Sequence, residues 1–409
     1  MSPARKKTSN QIKSGSDPLE ALFAAVWSAP DDDAPRLVLA DALTERADPR
    51  GEFMVLQIAR ANGKATNEMR RRERELRAKL KSNKAFGAPF PSMGVHFERG
   101  MPVAVSMGKA AAALAGHPAW STVGKLDLPP AVKRTELAAL LTSPSLAHLR
   151  EVGSFRYAAD LDALGGVPGR WTSVQLDFMP TVGVLERMPK LEQLFVVPGS
   201  KEPDLLPSVL PALSRLRSLR LLSVNVPPDA LAQLASLEEL AVMNALPIAA
   251  LRGCRKLRQL ELEELTDDPL WAQLPLESLN LTRHDPSLEV LAKVLERLPR
   301  LMRLELRTFE ESRPALFALL RSTKVEELTV NGDVYRDLRS KRVTVETYVD
   351  AVPTLNLAAL PKGTIGTLRV VPMSAAPGFN FELPPTPRML ADLSAELAPL
   401  KIEVVDNWW

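Results

Sequence analysis

Laid over each other, "SLRLLSVN" (218–225) and "SLEELAVM" (236–243) place Leu219, Leu222 and Val224 on Leu237, Leu240 and Val242, a shift of 18 residues. The same L-x-x-L-x-L frame returns at Leu257/Leu260/Leu262, Leu276/Leu279/Leu281, Leu301/Leu304/Leu306 and Val325/Leu328/Val330. Backward along the chain it fits Leu191/Leu194/Val196, Trp171/Val174/Leu176 and Val123/Leu126/Leu128. A broken copy sits at Leu146/Leu149, with Glu151 in its third apolar position. Counting that copy, the central positions from Leu126 to Leu328 stand 18 to 28 residues apart. In x-L-x-L, two apolar side chains share one face of a short strand and the residue between them points the other way. One such strand cannot bury its apolar face alone, but ten stacked in parallel can.

The segments between the strands carry helix or turn signals. "DPSLEVLAKVLERLP" (285–299) opens with Asp285 as N-cap and Pro286 at the first helical position, then shows an apolar stripe. Other connectors, such as 263–274, have room only for a turn. Strand, then turn or helix, at this period resembles the leucine-rich repeat. The Asn that usually follows the third leucine is mostly missing, so the repeats are divergent. The fold class expected is α/β, a leucine-rich-repeat-like solenoid of parallel strands with helix or turn connectors, preceded by a small all-α module.

That module begins at Asp17-Pro18-Leu19-Glu20, which reads as N-cap to N3 of a helix running to about Trp27. A second helix begins near Asp33 and Pro35. "DPRG" (48–51) reads as a break, and a third helix as about 52–61. Leu22, Val26, Leu37, Ala40, Leu43, Phe53, Leu56 and Ala59 are the expected core. The string "PDDDAPRLVLADALTERADPRGEFMVLQ" (30–57) resembles the repeat-companion domain, a short helical module ahead of degenerate leucine-rich repeats in bacterial proteins. Arg36-Leu37, Ala40-Asp41, Leu43, Glu45-Arg46 and Asp48-Pro49-Arg50-Gly51-Glu52 carry the match. Ala42, Leu39 and Ala47 depart from it, standing where the family usually has Trp and often has Tyr and Gly. The resemblance implies a helical cap on repeats and brings no assigned activity.

Composition narrows the function. With 45% hydrophobic and 25% charged residues, the chain has the balance of a globular protein able to bury a large core. No run of eighteen apolar residues exists, and the polar, basic opening "MSPARKKTSNQIKSGSDP" does not read as a secretory signal. The single Cys254 excludes a disulfide framework, and four histidines leave little room for a zinc site, so the expected compartment is the cytoplasm. Proline is high, 35 of 409, and recurs between short apolar runs as turns would require. The basic excess lies at the extreme N-terminus and in 64–84, while 17–60 is acidic; a uniformly basic nucleic-acid surface is not indicated.

Motifs for catalysis are absent: there is no G-x-x-x-x-G-K-[ST], G-x-S-x-G, H-E-x-x-H or C-x-x-C. "LGGVPGRW" (164–171) lacks the spacing of a dinucleotide fingerprint, and "VPGSKEPD" (197–204) is a proline-broken turn. His96, His117, His148 and His284 are scattered, and Cys254 reads as a buried repeat cysteine. Asp31, Asp32, Asp33, Asp41, Glu45, Asp48 and Glu52 could offer oxygen ligands to a metal. The interleaved Arg36, Arg46 and Arg50, and the preference of helix N-termini for carboxylates, favour capping and ion pairing instead. No catalytic, cofactor or metal residue is therefore assigned, and a non-enzyme is expected.

Two surfaces remain. The residues flanking the second apolar position of each strand face outward, giving Phe195 and Leu221 in the middle repeats and Glu261, Arg303 and Glu305 in the later ones; the next outward position adds Val197, Met243, Glu263 and Arg307. An apolar patch with a polar flank is the usual anatomy of a protein contact. The expected function is a scaffold or adaptor binding another protein there. The alternative is nucleic-acid or anionic-surface binding through "NEMRRRERELRAKLKSNK" (67–84), with Arg70, Arg71, Arg74, Arg77 and Lys81 as its patch and Met69, Leu76 and Leu80 as its apolar stripe. Aromatic residues are missing from that stretch, and nucleic acid is the less expected partner. The organisation expected is a disordered basic tail (1–16), helical module with basic helix (17–95), repeats (96–332) and atypical C-terminal repeats and cap (333–409). In that last part 341–349 reads as an edge strand, 365–371 as one more repeat, 388–399 as a helix and 401–409 as a final strand closed by Trp408 and Trp409.

Overall fold

The computed structural model describes residues 17–80, 94–107, 116–128, 133–162, 164–198, 213–227, 231–282, 286–306 and 322–330, isolated positions between 209 and 320, and the backbone of four strands within 333–406. It divides into two compact units, Met1–Gly124 with Ser143–His148, and Lys125–Thr142 with Leu149–Trp409.

The first unit holds four helices, α1 (Pro18–Ser28), α2 (Asp33–Glu45), α3 (Pro49–Ala61) and α4 (Asn67–Lys79), and a hairpin of β1 (Val95–Glu98) and β2 (Met101–Ser106). Each helix starts on a polar side chain that takes up an otherwise orphaned amide. Asp17 accepts from the Leu19 N–H at 3.1 Å, Asp32 from Ala34 at 2.9 Å, Asp48 from Arg50 at 2.9 Å and Thr66 from Met69 at 3.2 Å. The "DPRG" segment is thus a helix start rather than a break: Asp48 caps, Pro49 occupies the first turn, and Gly51 lies inside α3. A Cβ on Gly51 would fall 2.4 Å from the Ala40 carbonyl oxygen and the Thr44 hydroxyl, so glycine is what lets α3 lie against α2.

The core of this unit is Val26, Leu39, Ala40, Leu43, Met54, Ile58 and Met101. Of the expected residues, Phe53 and Leu56 are also buried, while Leu22 packs at the margin. Leu37 is corrected: it is 40% exposed, and Leu39 is the inward residue of α2. The core is supplemented by polar groups. Buried Gln57 donates to the Glu73 carboxylate at 3.0 Å and the Phe97 carbonyl at 3.1 Å, and accepts from the Gly100 N–H at 2.8 Å. One amide thereby ties α3 to α4 and to the hairpin turn, with every bond satisfied.

In the second unit, ten strands run parallel and follow one another in chain order: β3 (Lys125–Asp127), β4 (Glu151–Phe155), β5 (Ser173–Leu176), β6 (Gln193–Val196), β7 (Ser218–Leu222), β8 (Glu239–Met243), β9 (Gln259–Leu262), β10 (Ser278–Leu281), β11 (Arg303–Leu306) and β12 (Glu327–Val330). One strand per repeat, each parallel to the last, makes this unit a leucine-rich-repeat-like solenoid. Connectors are short helices, α5 (Arg134–Leu141), α6 (Ala158–Asp162), α7 (Val182–Glu186) and α8 (Leu288–Arg297), or single 3-10 turns such as Pro269–Gln273. The cap of α8 is Ser287, which accepts from the Val290 N–H at 3.3 Å; the expected start at Asp285 is two residues early.

A recurring backbone device feeds each strand from β5 to β12. The Arg217 carbonyl accepts from the N–H groups of both Glu238 and Glu239, at 2.8 and 2.9 Å. Glu238 does the same for Arg258 and Gln259, and Arg258 for Glu277 and Ser278. The turn into each strand is hung on the one before, which fixes register along the stack.

Register corrects two repeats. Leu219 pairs with Leu240 and Leu221 with Val242, so the offset between these copies is 21 residues and the frame is Leu216/Leu219/Leu221. Leu221 is fully buried, and Arg220 holds the outward position expected of it. The β7 copy thus lies three residues earlier than expected, whereas the copy before β5 lies three residues later, at Leu149/Val152/Phe155. Val152 pairs with Leu126 on one side and Val174 on the other, and Glu151 stands outward between Lys125 and Ser173. Its third position slips by one residue through a bulge, at which Ser154 takes a φ of 62°.

Beyond β12 the pattern changes. β13 (Asp333–Arg336) is antiparallel to β12, β14 (Val343–Tyr348) antiparallel to β13, and β15 (Ile365–Val371) and β16 (Glu403–Asp406) continue in parallel. The strand expected at an edge is β14, and it is interior, with a neighbour on each side. The expected helix 388–399 and Trp408 and Trp409 lie outside the described residues.

Candidate functional site: the strand face of the repeat unit

The outward residues of consecutive strands stand in rows, because parallel pairing without slippage from β5 to β12 keeps each in line with the next. One row runs Ser173, Gln193, Ser218, Glu239, Gln259, Ser278, Arg303, Glu327. The next runs Gln175, Phe195, Arg220, Ala241, Glu261, Asn280, Glu305, Thr329. A third carries Leu222 paired with Met243.

The site residues expected from the sequence fall as follows. Phe195, Val197, Met243, Glu261 and Glu263 are half-buried on this face, and Arg303 and Glu305 are exposed on it. Leu221 is in the core, and Arg307 lies outside the described residues. The apolar character is therefore confined to Phe195 and to the third row, with Leu222 in place of Leu221. The centre of the face is more polar than expected. Met243 is held sideways, its sulfur accepting from the Thr282 hydroxyl at 3.3 Å.

Around Ala241 the face dips. Ala241 is 6% exposed and has no side chain to fill its place between Arg220 and Glu261 in the row. The depression is about 200 Å³ and is rimmed by Arg220, Glu239, Glu261, Asn280 and Glu305. Sequence reasoning missed Arg220, Ala241 and Asn280 as a group, since only the cross-strand register gathers them.

A second charged feature borders the face. Arg217 holds Glu238 through two hydrogen bonds at 2.9 and 3.1 Å, and Arg258 lies 3.7 Å from Glu277. The hydrogen bond from Arg217 holds the Glu238 carboxyl below its ordinary value. These exposed pairs set a pattern along the stack rather than supplying much stability.

The basic helix is more neutralised than its composition implies. Arg72 lies 2.7 Å from Glu52 and 3.3 Å from Glu75, and Arg71 lies 3.9 Å from Glu75. Leu76 and Leu80 are buried as expected, and Met69 is half-buried. Arg71 and Arg77 are exposed, Arg70 and Arg74 half-buried, and Lys81 lies outside the described residues. The acidic segment is likewise engaged by arginines. Buried Arg36 donates to the Asp32 carbonyl at 3.0 Å, to Asp33 at 3.3 Å and to the Pro30 carbonyl, and Asp48 holds Arg50 at 2.6 Å. Among the described residues no three His, Cys, Asp or Glu side chains converge as metal ligands would.

The remaining nucleophile is inert. Cys254 is 1% exposed, its thiol donates to the Leu231 carbonyl at 3.4 Å, and burial pushes its pKa up to about 12. His96 and His117 are both lowered by burial. His117 serves as a cap, its Nδ1 accepting from the Ala119 N–H at 3.1 Å. Among the described residues no helix is long and apolar enough to cross a membrane.

No protein-family model and no curated protein matches the chain. Among solved structures it is similar to an internalin, InlF of Listeria monocytogenes, at 13% identity over 75% of this chain and 86% of that one, with a TM-score of 0.32.

Proposed function

We propose that this chain is a non-catalytic scaffold that binds another protein on the strand face of its repeat unit, in the cytoplasm. The observation carrying the reading is the register itself: from β5 to β12 two rows of outward side chains line up without slippage, and Arg220, Glu239, Gln259, Arg303 and Glu305 in them are exposed. A broad surface held rigidly by packed strands is suited to gripping a partner and, with its inert thiol, poorly suited to bond-breaking. The repeat-companion resemblance of residues 19–60 belongs to the same proposal, as a helical module accompanying the repeats.

The test is capture of partners from the native cell by wild type, by Phe195→Asp/Met243→Asp and by Arg71→Ala/Arg77→Ala. Loss of one stoichiometric protein in the first variant alone supports the strand face. Loss only in the second, or recovery of nucleic acid, moves the function to α4. Because Arg220 replaces Leu221 on the face, salt sensitivity does not separate the two readings, and the variants must.

A further inference from the structure

We propose, resting on the strand-face reading above, that the partner docks through a cationic segment, one arginine or lysine of which sits in the depression over Ala241. Three observations point there. The first is shape: the dip is set by the alanine, flanked in its row by Arg220 and Glu261, and it is about the size of one long side chain rather than of a small-molecule pocket.

The second is charge. Among the described residues from β6 to β12, the outward positions carry Glu239, Glu261, Glu263, Glu305 and Glu327 against Arg220 and Arg303. Neither Glu239 nor Glu261 makes an ion pair among the described residues, although they stand diagonally across adjacent strands. Like charges so placed repel, and a cation between them relieves that repulsion.

The third is an orphaned acceptor. The Oδ1 of Asn280 lies in the lining, is buried, and has no hydrogen-bond partner. A buried acceptor without a donor is costly, and the nearest charged rim groups, Glu261 and Glu305, are acceptors too. The one charged donor in the lining, Arg220, stands three strands from Asn280 in the row, so beside Asn280 the site lacks an N–H donor carrying positive charge, which is what a guanidinium or ammonium brings. An anionic ligand would meet three carboxylates and leave Asn280 unsatisfied, so a nucleic acid does not fit this face.

The experiment uses the full chain and a fluorescein-labelled (Gly-Arg)4 amide as probe, followed by anisotropy at low salt. Glu239→Gln/Glu261→Gln is compared with Glu20→Gln/Glu68→Gln, which removes the same charge from the helical unit. The first variant is expected to bind at least about tenfold more weakly and the second within about twofold of wild type, with affinity falling as salt rises. Asn280→Leu, which keeps the charge but removes the acceptor, is expected to weaken binding as well. Absence of binding by wild type, or equal loss in both double variants, overturns the proposal. If Phe195→Asp/Met243→Asp loses the cellular partner while Glu239→Gln/Glu261→Gln retains it, the cationic docking fails and the strand-face reading stands. Retention by both variants ends the two together.

Discussion

The two units solve the same problem, burying apolar surface in short elements, by different means. In the repeat unit each strand contributes two or three aliphatic side chains, and the polar groups between them are the backbone's own, tied from one repeat to the next. In the helical unit the core is small; buried Gln57 and Glu73 are hydrogen-bonded links between elements, and buried Arg36 ties the start of α2 to the turn before it. A repeat thus tolerates change on its outward face and little at its inward one, whereas the helical unit is vulnerable at particular polar atoms.

The largest effect expected sits at the register correction. Leu221→Asp would bury an unpaired carboxylate in a fully packed site and is expected to cost more than about 4 kcal/mol, enough to unfold the repeats around it. Leu222→Asp, one residue on, should fold with a near-native melt. Equal tolerance of the two in a chemical denaturation series would break the frame described for β7. Next, Leu260→Ala removes a buried ladder residue and should cost about 2–5 kcal/mol.

In the helical unit, Gln57→Leu keeps the volume but strands the Gly100 N–H and the Phe97 carbonyl and leaves the Glu73 oxygen to Arg60 alone, 3.2 Å away; a loss of about 2–4 kcal/mol is expected from urea unfolding. If Gln57→Leu proved neutral while Leu260→Ala was costly, the contrast between polar and aliphatic tethering would collapse.

The smallest effect is in pH. Burial lowers the pKa of both His96 and His117 in the folded helical unit, so below the ordinary histidine value near 6.5 the unfolded chain takes up protons that the folded one resists. Stability is full above that value and is lost as the pH falls through it toward the lowered folded pKa values. Melts at pH 7.5 and 5.5 should show this acid loss, and His96→Gln/His117→Gln should shrink it.

Much of this was legible in the chain, and the failures are instructive. Eight of the ten parallel strands fall where the leucine frame expects them, because a buried two-residue period on a short strand leaves few other arrangements. The frame slipped at β7 because Leu213, Leu216, Leu219 and Leu222 recur every third residue, so L-x-x-L-x-L fits at two offsets. A finer signal was available. In the other copies from β6 to β12 the residue before the central leucine is polar, as Gln193, Glu239, Gln259, Ser278, Arg303 and Glu327 are, and only the later offset puts Leu221 there. Leu149-Arg150-Glu151-Val152 obeys the same rule and would have been placed by it. The helix break at 48–51 failed differently, since Asp-Pro ends one helix and begins the next equally well. The depression over Ala241 could not be read at all, as it depends on which residues of five separate repeats stand side by side.

The most direct test of the strand face as the partner site is in-cell photocrosslinking, with benzoylphenylalanine placed in turn at Gln193, at Gln259 and, as a control on the basic helix, at Arg71. Crosslinking from both strand-face positions to the same discrete protein, with none from position 71, is the expected result. Crosslinks from position 71 alone, whether to protein or to nucleic acid, would contradict it.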